Sequence, residues 1–296
     1  MFPQSLGRQY PFQSHFLNLS DLPHGENQMH YVDEGPLDAD ESMLMVHGNP
    51  TWSFYFRRLI SHFSKTVRVV APDHIGSGAS KRPKGWNYQL KGHIDHLEAL
   101  VDELELKNVT LVVHDWGGAI GFGLAVRRPE LFKRIVILNT AAFYLSNIPK
   151  RIQMLKTPWL GEVLIRRLNL FAWPATFMAS EKPLPNEVKK GYLWPNKNYD
   201  QRIGVSGFVK DIPMSKSHPT YQTLVDIESK LHLLNCPKLI VWGGKDFCFD
   251  DKFFEKWMKI YPHSKYRYIA EAGHYVLEDA PEEVLSEIAN FMENGS

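Results

Sequence analysis

Cysteine is nearly absent from this sequence: Cys236 and Cys248 are the only two in 296 residues. Two cysteines cannot make a disulfide framework, so a reducing compartment is the expected setting. Net charge is missing as well, since 34 Lys and Arg meet 33 Asp and Glu for a formal +1. A standing nucleic-acid partner would need a clustered basic excess. The doublets Arg57-Arg58, Arg127-Arg128, Arg166-Arg167 and Lys189-Lys190 are scattered and read as solvated faces. No apolar run reaches the ~18–20 residues of a membrane-spanning helix. Residues 1–13 have neither the charged start nor the apolar stretch of a signal peptide. Internal repeats and low-complexity segments are also lacking. What remains is the expectation of a soluble, cytoplasmic protein whose chain can bury one large core, or a core with an insertion.

What is present is alternation. Met43–Val46, Val67–Ala71, Val109–Val113 and Ile135–Leu138 are brief aliphatic runs of the kind that fills strands buried on both faces. Between two of them Leu90, Ile94, Leu97, Val101 and Leu104 recur at helical spacing. Strand, helix, strand in repetition predicts an α/β sheet, mostly parallel, with helices on both faces. From about residue 144 to 225 the pattern breaks and prolines accumulate, among them Pro149, Pro158, Pro174, Pro183, Pro185, Pro195, Pro213 and Pro219. That density chops helices short, so residues 144–225 are expected to form an inserted helical cap, with 1–143 and 226–296 as the core. Strand patterns resume at Leu239–Trp242 and Tyr266–Ile269, and Val284, Leu285, Ile288 and Phe291 mark a final amphipathic helix.

The chemistry concentrates at Leu111-Val112-Val113-His114-Asp115-Trp116-Gly117-Gly118. A strand runs into a sharp turn and small residues open a helix, which is the pattern of a nucleophile elbow. Its apex is Asp115 where many such elbows hold serine. A carboxylate is already anionic at neutral pH and needs no base to attack. It suits displacement at a saturated carbon, which leaves an ester on the side chain. Asp246, after one late strand, and His274, on a loop after the next, follow in the chain order nucleophile, acid, histidine. An Asp so placed fixes the imidazole tautomer and supports its charge. His47-Gly48-Asn49-Pro50 follows another strand and can aim backbone N–H groups at the nucleophile. The Asn49 amide and the Trp116 indole are uncharged donors that could hold a departing anion.

These motifs, together with Pro72-Asp73-His74-Ile75-Gly76-Ser77-Gly78, resemble the haloalkane dehalogenases of the α/β-hydrolase fold over about residues 10–143 and 226–295. The resemblance implies that Asp115 displaces halide, that His274 activates water against the resulting ester, and that Asp246 orients His274. Asn139 stands where some members carry their acid, which leaves Asp246 for that role. Tyr10-Pro11-Phe12-Gln13, the stretch from His47 to Ser53 and that from Leu138 to Phe143 are similar to the β-lactone decarboxylases of bacterial long-chain olefin biosynthesis. By resemblance those use the same aspartate apparatus to turn a β-lactone into a cis-alkene and carbon dioxide. The motifs put a dehalogenase-like hydrolase first and the decarboxylase as the alternative. Either takes a small apolar substrate in a pocket expected to include Phe143, Trp159 and Trp173, and neither requires a metal or organic cofactor. Oligomerisation and partner enzymes are left open.

Three further features carry less. His93 and His96 have a metal-like spacing but no third ligand motif, and are expected to face outward on their helix. Tyr192 and Tyr199 resemble the paired cap tyrosines of epoxide hydrolases, against which Asn49 argues. A non-catalytic binding module of this fold would lack the complete set Asp115, Asp246 and His274.

Overall fold

Alternation along the buried strands organises the molecule, a computed structural model that describes residues 6–23, 25–145 and 150–294. The strands are β1 (His15–Asn18), β2 (Gln28–Glu34), β3 (Ser42–Val46), β4 (Arg68–Pro72), β5 (Val109–Asp115), β6 (Phe132–Thr140), β7 (Lys238–Gly243) and β8 (Lys265–Ile269). They form one eight-stranded sheet in the order β1-β2-β4-β3-β5-β6-β7-β8. β2 pairs antiparallel with both β1 and β4, whereas β4, β3, β5, β6, β7 and β8 run parallel. All six of the apolar runs expected as strands lie in β3–β8, with Val67 just outside.

Successive residues of the central strands feed opposite faces, as the two-residue period requires. Leu111, Val113, Ile135, Ile137 and Ile240 point into one apolar layer, and Val112, Val136, Leu138, Leu239 and Val241 into the other. The helices that cover these layers are α1 (Arg57–Phe63), α2 (Leu90–Glu103) and α3 (Trp116–Ala125) before β6. Among the described residues six more lie between β6 and β7: α4 (Lys150–Leu155), α5 (Pro158–Glu162), α6 (Ala172–Met178), α7 (Asn186–Leu193), α8 (Ile203–Asp211) and α9 (Pro219–Lys230). After β7 come α10 (Asp251–Ile260), α11 (Val276–Asp279) and α12 (Pro281–Asn294). The first layer takes Ile94 and Leu97 of α2, Phe122 of α3 and Trp257 of α10; the second takes Leu59 and Ile60 of α1 with Val284 and Ile288 of α12. This is the α/β-hydrolase architecture, a largely parallel sheet between two helical layers.

Between β6 and β7 every regular element of the described residues is helical. The boundary expected at residue 225 falls inside α9, a continuous helix whose Leu224 and Ile227 join the first core layer and which packs on α2 and α3. His93 and His96 are both buried on α2, contrary to the outward placement expected for them. His93 stacks on Phe208 of α8 with ring centroids 4.4 Å apart, and His96 Nε2 lies 2.9 Å from Asp21 Oδ2. Lys91 and Asp95 keep to the open side of the helix, and the two histidines lie on the covered one. Among the described residues no group of three or more His, Cys, Asp or Glu is arranged to hold a metal.

Candidate active site

β5 ends at Asp115 in a conformation that side chains seldom adopt, φ 52° and ψ −127°. Two glycines make this turn possible. A Cβ on Gly117 would sit 1.9 Å from the carbonyl oxygen of Val46, and one on Gly48 would sit 2.1 Å from Asp115 Oδ1. The backbone N–H of Asn49 donates to Asp115 Oδ1 at 2.6 Å, and the N–H of Trp116 also supports the carboxylate. Thr140 donates its hydroxyl to the Asp115 carbonyl. The nucleophile candidate is therefore clamped from β3, β6 and its own helix.

His274 Nε2 stands 3.7 Å from Asp115 Oδ2, beyond hydrogen-bond reach, and its Nδ1 donates to Asp246 Oδ2 at 2.7 Å. Donation from Nδ1 fixes which nitrogen faces Asp115. His114 holds the same loop by donating from Nε2 to the His274 carbonyl at 2.9 Å. Asp246 is saturated: Oδ1 accepts from the N–H groups of Cys248 at 2.6 Å and Phe249 at 3.0 Å, and Oδ2 also accepts from Asn139 Nδ2 at 3.0 Å. The three residues read from sequence as nucleophile, acid and histidine thus meet in one buried cluster.

Burial acts on Asp115 and His274. It raises the Asp115 pKa by more than His274 and the N–H groups of Asn49 and Trp116 lower it. For His274 burial opposes the imidazolium, but the charge and hydrogen bond of Asp246, with Asp115 beside it, outweigh that, and the pKa is raised. The two carboxylates thus favour the imidazolium form of His274.

Asn139, noted in sequence only as a place without an acid, is a positioning residue. Its φ of 35° suits asparagine. Besides holding Asp246, its Oδ1 accepts from the Gly243 N–H at 2.8 Å and its Nδ2 donates to the Gly243 carbonyl at 3.1 Å. Asn139→Ala would take the Asn139 acceptor from the Gly243 N–H and one donor each from the Gly243 carbonyl and Asp246 Oδ2, which keep the Asp246 N–H and His274, at about 1–3 kcal/mol in denaturant unfolding. A pH–rate profile whose His274 limb moves by about half a unit or more would mark the loss as one of positioning.

Asp115 and His274 open on a cavity of about 420 Å³ that Asn49, Trp116 and Phe143 also line. One N–H of the Asn49 amide is engaged with the Val205 carbonyl at 3.4 Å, which leaves the other for a ligand. The rest of the wall is overwhelmingly apolar, including Leu155, Leu164, Phe171, Pro174, Ala175 and Phe249. Trp159 and Trp173, expected here, are not part of it: they are 78% and 51% exposed. The phase of α6 explains the second, because Pro174, Ala175 and Met178 occupy its inner face and Trp173 the outer one. Tyr192 is buried with its hydroxyl on Glu278, and Tyr199 bonds Glu162 at 3.0 Å, so neither reaches the cavity in the way an epoxide-opening pair would. Phe247 and Phe249, unnoticed in sequence, bracket Cys248 in the lining; their alternation just after Asp246 was the available signal.

The alpha/beta hydrolase fold family matches residues 41–281. A cis-3-alkyl-4-alkyloxetan-2-one decarboxylase of Shewanella oneidensis is 43% identical over 290 residues, 95% of this chain and 89% of that protein. Haloalkane dehalogenase 2 of Mycobacterium tuberculosis is 30% identical over 282 residues, 94% of each chain. The crystal structure of a haloalkane dehalogenase from Bradyrhizobium elkani superposes with a TM-score of 0.83 at 26% identity, covering 95% of this chain and 98% of that one.

Proposed function

The chain belongs to the α/β-hydrolase fold, in the branch shared by haloalkane dehalogenases and β-lactone decarboxylases, and from that premise we propose that it converts a cis-3,4-dialkyl β-lactone into a cis-alkene and carbon dioxide. The motifs alone put halide displacement first. The observation that reverses the order is the 43% identity to the oxetanone decarboxylase across nearly the whole chain, against 30% to the dehalogenase. The lining suits either substrate, being apolar around few polar groups.

The reaction needs no water. Asp115 attacks the ring carbon that bears the lactone oxygen, and that C–O bond breaks. The ring oxygen leaves as a carboxylate still tethered to the substrate, and Asp115 becomes an ester. The electrons of the C–CO₂ bond then form the alkene, carbon dioxide departs, and the bond from carbon to Asp115 breaks to restore the carboxylate. Attack inverts the carbon and an anti elimination follows, so a cis ring gives a cis-alkene. Asn49 and Trp116 hold the tethered carboxylate between the two steps. The imidazolium of His274, kept charged by Asp246, offsets the charge that returns to Asp115. The helices between β6 and β7 act as the cap that excludes water.

The pH dependence has a definite sign. Asp115 must be ionised, and its raised pKa means that activity falls with acid above the ordinary carboxylate range of about 4. Decarboxylation, which uses the imidazolium, falls as pH rises through the raised His274 pKa. Hydrolysis of an alkyl ester would rise there instead, because it needs neutral imidazole as base. Rate profiles for a β-lactone and a bromoalkane display the two limbs separately.

Product analysis decides the reading. Purified protein given a long-chain cis-β-lactone should yield cis-alkene and carbon dioxide, with bromide release from a bromoalkane at least about a hundredfold slower in kcat/KM, or ~2.7 kcal/mol. Fast bromide release with no alkene returns the site to dehalogenation.

A further inference from the structure

α6 is apolar on every side, yet it lies at the surface. Its sequence, Ala172-Trp173-Pro174-Ala175-Thr176-Phe177-Met178, holds no charge, and its single hydroxyl is buried. Pro174, Ala175 and Met178 form a wall of the cavity, while Trp173 and Phe177 pack against each other on the outside at 5.0 Å and are 51% and 53% exposed. Leu170 and Met178 are each more than two-fifths exposed and also line the cavity, so the outer apolar surface is continuous with the inner one. Helices apolar all round belong in a core or in lipid.

Basic side chains border this face. Lys189 of α7 places its ammonium 4.1 Å from the Phe177 ring centroid. Lys190 next to it is exposed, and along the chain the exposed Arg167 precedes α6 while Glu181 follows it and Glu187 lies on α7. Aromatic and aliphatic groups edged by long cationic side chains fit the headgroup boundary of an anionic bilayer. A protein interface would be depleted in lysine.

The mouth of the cavity points the same way, on the lactone reading above. Leu170 and Met178 line the cavity and are also exposed, so an alkyl arm longer than the cavity leaves past them, and an alkyl chain outside the cavity needs an apolar medium.

We propose that the outer face of α6 docks on an anionic lipid surface, from which an alkyl arm of the substrate enters the cavity beside Leu170 and Met178. The full-length protein should float with phosphatidylcholine vesicles that contain phosphatidylglycerol, and much less with phosphatidylcholine alone. Trp173→Glu/Phe177→Glu should cut the bound fraction by about tenfold or more, while kcat on a short-armed, water-soluble β-lactone is unchanged, since neither side chain lines the cavity. Arg167→Glu/Lys190→Glu, a pair that leaves α6 untouched, should lose about tenfold on the anionic vesicles only. A wild-type protein that ignores both vesicle types overturns the proposal. So does undiminished flotation of both variants, or a wild-type oligomer that Trp173→Glu/Phe177→Glu dissociates and lipid does not, which would mean that a second copy covers the face. Flotation is read without substrate and so survives failure of the lactone reading, whereas alkene formation by a protein that ignores vesicles overturns this proposal alone.

Discussion

Asp115→Asn yields a folded protein whose alkene formation is at least about 10⁴-fold lower, a loss of ~5.4 kcal/mol of transition-state stabilisation. The amide is nearly isosteric, and its oxygen can still accept from the Asn49 N–H that now reaches Asp115 Oδ1 at 2.6 Å. It cannot attack a saturated carbon, and among the described residues no other carboxylate lines the cavity to replace it. Stability should move the other way. Burial raises the Asp115 pKa, so the ionised form is disfavoured in the folded protein. Removing that charge should leave the midpoint of urea unfolding unchanged or higher. Activity and stability measured on the same preparation test both halves. A variant that keeps more than about one per cent of wild-type kcat would exclude Asp115 as the covalent nucleophile, and one that is simply unfolded would make the loss uninformative until Asp115→Ala and Asp115→Glu were compared by circular dichroism.

The parts of this fold that were legible in sequence share one property: local composition and tertiary environment agree. The runs in β3–β7 are almost wholly apolar because both faces of those strands are covered, and the elbow is visible because its glycines have no alternative. β1 and β2 were not seen. β1 has only four residues, alternates between half-buried and exposed, and lies at the sheet edge, where polar residues are tolerated. His93 and His96 are polar yet buried, because Phe208 and Trp86 cover them, so polarity alone does not mark exposure on this helix. The wall of the cavity was hardest to read. In α6 both the inner and the outer face are apolar, so hydrophobicity could not show that Trp173 points away from the site and Met178 into it. Asn139 was recognised as a non-acid, but its hydrogen bonds to Asp246 and Gly243 depend on the neighbouring strand.

In ¹⁸O-water the Asp115 carboxylate should acquire no label through many turnovers of a cis-β-lactone. The two chemistries differ in which bond of the covalent ester breaks. Hydrolysis sends water to the carboxyl carbon of Asp115, held by the N–H groups of Asn49 and Trp116, and one oxygen of the released carboxylate comes from solvent. Decarboxylative elimination breaks the bond from the alkyl carbon to Asp115, so both original oxygens stay. Repeated turnover of a bromoalkane should therefore label Asp115 in this same protein, however slowly, and the lactone should not. The contrast is all or none and does not depend on relative rates. Digestion and mass measurement of the peptide that contains Asp115, after each substrate, read it directly. Label in Asp115 after lactone turnover would mean that water opens the ester, and the product would then be a β-hydroxy acid in place of an alkene. His274 would in that case act as the neutral base, and the alkaline limb of the rate profile would rise through its pKa instead of falling.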